Sequence, residues 1–401
     1  MQKELDTEIL IIGGGSAGIA ASVAASPSRR VLLIDAHDYL GGNATISEVG
    51  TICGLYHYSK NEKTKYIVNG FAKTFADRLS SESNSKPLKN RYGMHYLPYD
   101  KEAFKEIAHD FIKENNVDLS LNTRVIDVQV EDNQVSAIIA KRGGEILKIN
   151  CKSVIDCSGI SIVSSLAKFP LLPSDYYQSA ALVFTVSNIQ VNNEFAINIL
   201  FAKHLKNTIL TKELSETIHS LHVVPGSFKD GAANFKMGIP IKVTLKDENK
   251  AELLEMGKKL VHEFMDVLLK NISAFENAEL KSIADNVGIR VERRPLGKYV
   301  LTESDVTNCK KFLNPIAKSA WPIEEWKDNM NVSLTYLKEH DWYEIPQEAL
   351  ISNATTNLFF GGKNISATDR AIGSARVIGV CLQTGYAAGK LAHAFTSDSA
   401  K

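Results

Sequence analysis

The chain has 401 residues, 44% apolar and 23% charged, a length that exceeds one comfortable hydrophobic core and predicts two domains. Lys+Arg and Asp+Glu number 46 each, so no basic field points to nucleic acid or a membrane surface as partner. No apolar run approaches the roughly 18 residues of a membrane span. The short apolar run near the N-terminus follows acidic residues, so no signal peptide is read. The five cysteines (Cys53, Cys151, Cys157, Cys309, Cys381) are scattered, odd in number and without a Cys-x-x-Cys. That spacing excludes a disulfide framework and a thiol-exchange pair, and the expected setting is reducing and cytoplasmic. No His/Cys/Asp/Glu cluster has metal-ligand spacing, so no metal is expected.

The first elements carry the strongest signal. An apolar strand, Ile9-Leu10-Ile11-Ile12, runs into Gly13-Gly14-Gly15-Ser16-Ala17-Gly18 and then an Ala-rich helix to Ala25. Gly13 permits the tight turn, Gly15 lets the backbone approach an anion, and Gly18 lets the helix pack on the strand. The N–H groups and dipole at the helix start, at Ser16 and Ala17, then face a pyrophosphate. A second strand, Val31 to Ile34, ends in Asp35 and Ala36, where a ribose-binding carboxylate belongs. Together these features read as a dinucleotide site.

A second glycine doublet follows in Gly41-Gly42-Asn43-Ala44-Thr45, and residues 46–60 read as loop. Helical spacing recurs over Asn69 to Leu79 and over Tyr99 to Asn115, with Asp100 as N-cap and a polar linker at 80–90 between them. From Leu119 the period shortens to strands joined at Asp132-Asn133 and Gly143-Gly144, and a further strand, Lys152 to Asp156, ends in Cys157-Ser158-Gly159. The middle offers strands at Ala180–Val186 and Ile239–Thr244 and a helix from Asn249 to Leu269. The chain then returns to nucleotide-fold character: a strand at 357–360, the turn Gly361-Gly362-Lys363-Asn364, and a small-residue helix over 371–395.

On these segments the chain resembles FAD-dependent oxidoreductases with the glutathione-reductase-type FAD domain, and most closely the broad family called simply FAD-dependent oxidoreductases. Its more specific marks are Arg290-Val291-Glu292-Arg293-Arg294-Pro295-Leu296-Gly297, Tyr299 to Thr302, Ile345-Pro346, and Ala371-Ile372-Gly373-Ser374-Ala375-Arg376-Val377. The resemblance implies an α/β protein: a Rossmann-type FAD-binding domain of three-layer β-β-α architecture with an inserted α+β substrate domain. The FAD part would span 1–175, with a possible lid at 60–115, and resume over 346–401; the insertion would span 176–345. Carried over by position, Asp35 would bind the adenosine ribose, Val125 would sit by the adenine, and Ser158-Gly159 would lie near the pyrophosphate. Asn43, Ala44 and Thr45 would line the isoalloxazine ring, and Gly362 and Lys363 would approach the ribityl phosphate. The helix at Gly373-Ser374 would aim its N-terminus at the flavin pyrimidine, where reduced flavin carries negative charge.

Absences narrow the chemistry. There is no second Gly-x-Gly-x-x-Gly unit for an internal NAD(P)H domain, and the flavoprotein hydroxylase Gly-Asp pair is missing. The candidate catalytic residues are Cys53, as thiolate or covalent flavin link, His57 as base or link, and Asp369 as base or helix N-cap. Arg293 and Tyr56 are candidates for substrate contact. The expectation is an FAD-dependent dehydrogenase or oxidase exchanging a hydride with a small organic substrate, electrons passing to an external acceptor or from free NAD(P)H. A flavin monooxygenase of secondary metabolism is the alternative, distinguished by oxygen uptake coupled to hydroxylation. An FAD-binding protein without redox turnover is a further one. Residues 176–285 carry no readable motif.

Overall fold

A computed structural model of the protein describes residues 2–174, 176–210, 221–244, 246–326 and 332–398. A five-stranded parallel sheet lies at its centre, in the spatial order Leu358–Phe360, Ser153–Asp156, Ile9–Ile12, Val31–Ile34, Asp118–Ser120. Its inner strands are continuous apolar runs because both faces are covered. The two-residue period divides them: Ile9, Ile11, Leu33 and Ile155 pack toward helices, while Leu10, Ile12, Ile34 and Val154 pack toward a second sheet.

That second sheet is the meander read from the sequence, Thr123–Glu131, Gln134–Arg142 and Glu145–Asn150, with Asp132 and Asn133 at positive φ in the first turn. The edge strand Gln2–Asp6, paired parallel to Glu145–Asn150, was not legible from the sequence. On the opposite face lie the helices Ser16–Ala25 and Ile378–Asp398. They meet backbone to backbone: a Cβ on Gly385 would stand 2.1 Å from the Ala17 carbonyl oxygen, and one on Gly389 2.4 Å from that of Ala21. Sheet, sheet and helices form the three expected layers.

Several expectations change. Within 60–115, where a lid is expected, the helices Gly70–Glu82 and Lys101–Glu114 bury Phe71, Phe75, Phe104 and Phe111 in the main core. Asp100 does cap the second of them, accepting from the Glu102 and Ala103 amides. Residues 180–289 build a core of their own around an antiparallel sheet ordered His222–Val223, Ala233–Gly238, Ala181–Ser187, Glu279–Ile283. The strand expected at 239–244 lies earlier, at Ala233–Gly238, since Pro240 has no N–H to give a ladder. The helix Glu194–Leu210 was missed, and Asp247–Asn271 was anticipated. Residues 291–345, expected with the insertion, instead add Val291, Leu301, Ile323 and Tyr343 to the main core. The single C-terminal helix divides at Arg376-Val377 into Asp369–Ala375 and Ile378–Asp398.

Candidate active site

The glycine turn after Ile12 separates into two kinds of position. Gly13 has φ +101°, and a Cβ there would lie 2.5 Å from the Cys157 carbonyl; one on Gly18 would lie 1.8 Å from the Gly13 carbonyl. The protein's own packing therefore requires both. Gly15 is different, because a Cβ there meets nothing nearer than 3.8 Å, and its φ of −72° is ordinary. The helix it opens has no side-chain cap and no acid in its first turn. Uncapped amides at Ser16 and Ala17 behind a glycine the fold does not need form a cradle that suits a phosphate.

Around this cradle the expected residues converge. Asp35, at its strand end beside Ala36, accepts the Gly14 amide on Oδ2 and the His37 amide and ring Nδ1 on Oδ1. It thus clasps the turn, with acceptor capacity left on Oδ2. Gly41 and Gly42, at φ +114° and +55°, bring the next loop back so that Gly41 N–H donates to Gly14 O at 2.8 Å. Opposite, Ser158 is folded onto Asp156, and Gly159 N–H donates to Asn364 Oδ1. The Lys363 chain crosses Gly159, and its Nζ reaches Ile289 O at 3.0 Å and Glu292 at 3.3 Å. Asn43 Nδ2 donates to the same Ile289 carbonyl. Burial lowers the Lys363 pKa, yet the residue keeps accessible surface, as an amine in an enclosed cleft does. Gly362, at φ +83°, donates its N–H to Thr384 Oγ1 and closes onto Ala17. Val125 lies on the edge strand of the meander, whose outer side carries no ladder.

Beyond Gly50 the chain continues to Cys53, whose carbonyl accepts the Gly379 amide in the first turn of the long C-terminal helix. Burial and the nearby Glu324 carboxylate push the Cys53 thiol up to about 12. A shift in that direction favours the protonated thiol over the expected thiolate. Three cations gather here that the sequence did not single out. Arg376 Nη2 reaches Glu324 Oε2 at 3.1 Å and Gln178 Oε1 at 3.2 Å. Arg290 is stacked 4.1 Å over the Trp326 ring and donates to Ser179 O. Lys236, on the strand Ala233–Gly238, lies within electrostatic reach of Arg290, Glu324, Arg376 and Cys53. Burial brings Lys236 down to about 7.

The FAD dependent oxidoreductase family matches residues 8–400, nearly the whole chain. The chain belongs to this family. FAD is accordingly its cofactor, and the protein is an FAD-dependent oxidoreductase with a Rossmann-type fold. No curated protein matches it. Similar solved structures include a geranylgeranyl bacteriochlorophyll reductase-like protein from Thermoplasma acidophilum, at 14% identity and TM-score 0.49 over 99% of this chain and 79% of that one. A p-nitrophenol 4-monooxygenase from Pseudomonas putida aligns at 11% and 0.44 over 74% and 70%. The myxobacterial chondrochloren halogenase aligns at 13% and 0.43 over 95% and 73%.

Several of the expected residues have partners within the protein's own packing. Thr45 is 0% exposed, and its hydroxyl donates to Leu40 O, so it pins the Gly41-Gly42 turn. Buried Ala44 keeps its carbonyl on the Tyr99 hydroxyl. Ser374 is also 0% exposed, bonded to Trp321 O and Tyr343, and a Cβ on Gly373 would strike Glu324 O at 2.7 Å. Both belong to packing, and the helix end beside Cys53 is that of Ile378–Asp398. Asp369 sits elsewhere: it pairs with Arg294 and accepts from Ser174 Oγ at a surface groove lined by Leu172, Glu303 and Arg370, and Thr368 is the N-cap. His57 packs edge-on against Trp342, its pKa lowered by burial, among Lys65, Glu62, His340 and Lys318 rather than the cleft cations. Tyr56 is buried against Tyr66. The Arg293 carbonyl accepts the Ser161 hydroxyl, and its charge acts on Tyr177.

Among the described residues no group of His, Cys, Asp and Glu could hold a metal, and no helix is long and apolar enough to cross a membrane. One sequence signal for Lys236 existed. In Ala233–Gly238, Phe235 and Met237 point into the core, which leaves Asn234 and Lys236 on the other face.

Proposed function

We propose that this oxidoreductase exchanges a hydride with a small organic substrate bound between Cys53 and the strand Ala233–Gly238. The observation that carries the reading is the position of Cys53 and Lys236. Both are half-buried, Cys53 stands beside the first turn of the long C-terminal helix, and Glu324 and Arg376 lie within electrostatic reach of both. This region is continuous in chain with the Gly42 turn and stands at the start of the long C-terminal helix. When bound, FAD supplies reversible two-electron exchange. In this reading Gly13, Gly15, Ser16, Ala17, Gly18 and Gly42 seat its pyrophosphate, Asp35 its ribose and Val125 its adenine, with Lys363 and Gly159 on the opposite wall. The neutral Cys53 thiol packs beside the reacting centre without forming a covalent link. The other redox partner is an external small-molecule acceptor or donor, such as NAD(P)H.

The test is anaerobic mixing of the FAD-loaded protein with a metabolite extract divided by size, followed by flavin absorbance. Bleaching by the low-molecular-mass fraction, reversed by an added acceptor, is the expected result. Bleaching only by the macromolecular fraction, or oxygen uptake stoichiometric with hydroxylated product, would replace this reading with an electron-transfer or monooxygenase role.

A further inference from the structure

Charge in the Cys53 cleft does not balance. Among the described residues, Glu324 is the carboxylate that acts on Lys236 and Arg290 and pairs with Arg376. Glu324 is itself already engaged, with Oε1 accepting the Trp321 indole N–H at 3.0 Å and Oε2 accepting Arg376. Burial and the neighbouring Arg376 penalise the charge on Arg290, which as a guanidinium stays protonated and so calls for a counter-anion.

Hydrogen-bond donors are in excess in the same place. Arg376 Nε and Trp326 Nε1 are buried with no partner, and Lys236 Nζ makes no hydrogen bond or ion pair among the described residues. Orphaned buried donors are rare in native proteins, and several together ask for an acceptor from outside the chain. Gln178, 1% exposed, fixes the arrangement by bridging Arg376 and the Glu324 carbonyl.

We propose that Lys236, Arg290, Arg376 and the Trp326 indole form the binding site for the carboxylate of an organic acid substrate, with Lys236 taking up a proton as the anion enters. The proposal rests on the reading that substrate occupies the Cys53 cleft. While Lys236 is neutral, Arg290 and Arg376 against Glu324 leave an excess of one positive charge, which the single charge of an entering carboxylate neutralises. Arg guanidinium also suits a carboxylate by donating parallel hydrogen bonds.

Arg290, Glu324, Arg376 and Cys53 act electrostatically on Lys236 from other elements. His222 stands directly across the ladder. Since Lys236 is brought down to about 7, its charge is present below that pH and lost above it, and anion affinity follows the same direction.

The experiment uses the FAD-loaded protein with benzoate as probe and benzamide as its neutral counterpart, read by calorimetry and by the flavin spectrum between pH 6 and 9. Benzoate should bind, benzamide should bind at least tenfold more weakly, and benzoate affinity should fall about tenfold from pH 6 to 9. Lys236→Met should lower affinity about tenfold at pH 6 and little at pH 9. Lys236→Arg should bind at both pH values with the slope gone. Flavin content and thermal melting confirm that both variants fold. Equal binding of benzamide, unaltered binding by Lys236→Met, or a pH slope that survives in Lys236→Arg and so belongs to His222, would overturn the proposal. Inorganic phosphate displacing benzoate with higher affinity would overturn the carboxylate assignment. Charge-dependent binding with no change in the flavin spectrum would keep the anion site and overturn the placement of substrate beside the flavin.

Discussion

Gly15 and Gly18 are three residues apart in one turn, yet substituting each by alanine should produce opposite phenotypes. In Gly18→Ala the new methyl falls 1.8 Å from the Gly13 carbonyl oxygen, a shortfall of about 1.5 Å from ordinary van der Waals contact. The helix must lift from the strand, and overpacking of this kind costs about 3 kcal/mol. In Gly15→Ala the methyl meets no protein atom within 3.8 Å, and φ of −72° suits alanine, so the cost is below about 1 kcal/mol, mostly a weaker helix cap. The same methyl occupies the approach to the helix amides. Losing two hydrogen bonds to a charged phosphate, at about 1.5–3 kcal/mol each, weakens FAD binding on the order of a hundred- to ten-thousandfold. Urea unfolding of the FAD-free proteins and fluorescence titration with FAD measure the two effects separately. Gly15→Ala should unfold like the wild type and fail to bind FAD, while Gly18→Ala should unfold early. Gly15→Ala binding FAD within threefold of the wild type would refute the idea that this glycine is kept for the ligand.

Asp369→Ala should cost about 3–5 kcal/mol by leaving Arg294, 1% exposed, without its counter-charge, and should leave the flavin spectrum unchanged; a shifted spectrum at full stability would return Asp369 to the active site. Cys53, neutral until about 12, should react with iodoacetamide at pH 8 on the order of a thousandfold more slowly than a free cysteine, and acid precipitation should release all the flavin. Rapid alkylation, or flavin retained in the pellet, would contradict the neutral buried thiol. Lys363→Met should weaken FAD binding about tenfold and flatten its salt dependence, since the amine beside Gly159 lies against the phosphate cradle. Unaltered affinity would reassign Lys363 to pairing with Glu292 alone.

The cofactor half of the protein was legible because its physics is local. The strand Ile9–Ile12, its glycines and Asp35 lie within one continuous segment, and the meander's turns are marked by Asp132-Asn133 and Gly143-Gly144. Where local signals misled, a distant contact had intervened. The C-terminal helix breaks at Arg376, where the side chain is tied to Glu324 and Gln178, and Thr45 and Ser374 are turned inward by Leu40 and Trp321. Asp369 is charged and stands in a family segment, and only the fold shows that it pairs with Arg294 and Ser174. Arg290 stood in the same segment as Arg293 and was passed over, because nothing within it shows which arginine faces Trp326.

The sequence by itself determined that this is a dinucleotide-binding α/β chain, since a phosphate cradle needs only a strand, a glycine turn and a helix in succession. Tertiary structure alone decided what gathers around Cys53. Cys53, Lys236, Arg290 and Arg376 come from four separate stretches and share no spacing or period. Their chemistry arises from a common enclosure that strips water from three cations and leaves one carboxylate to balance them.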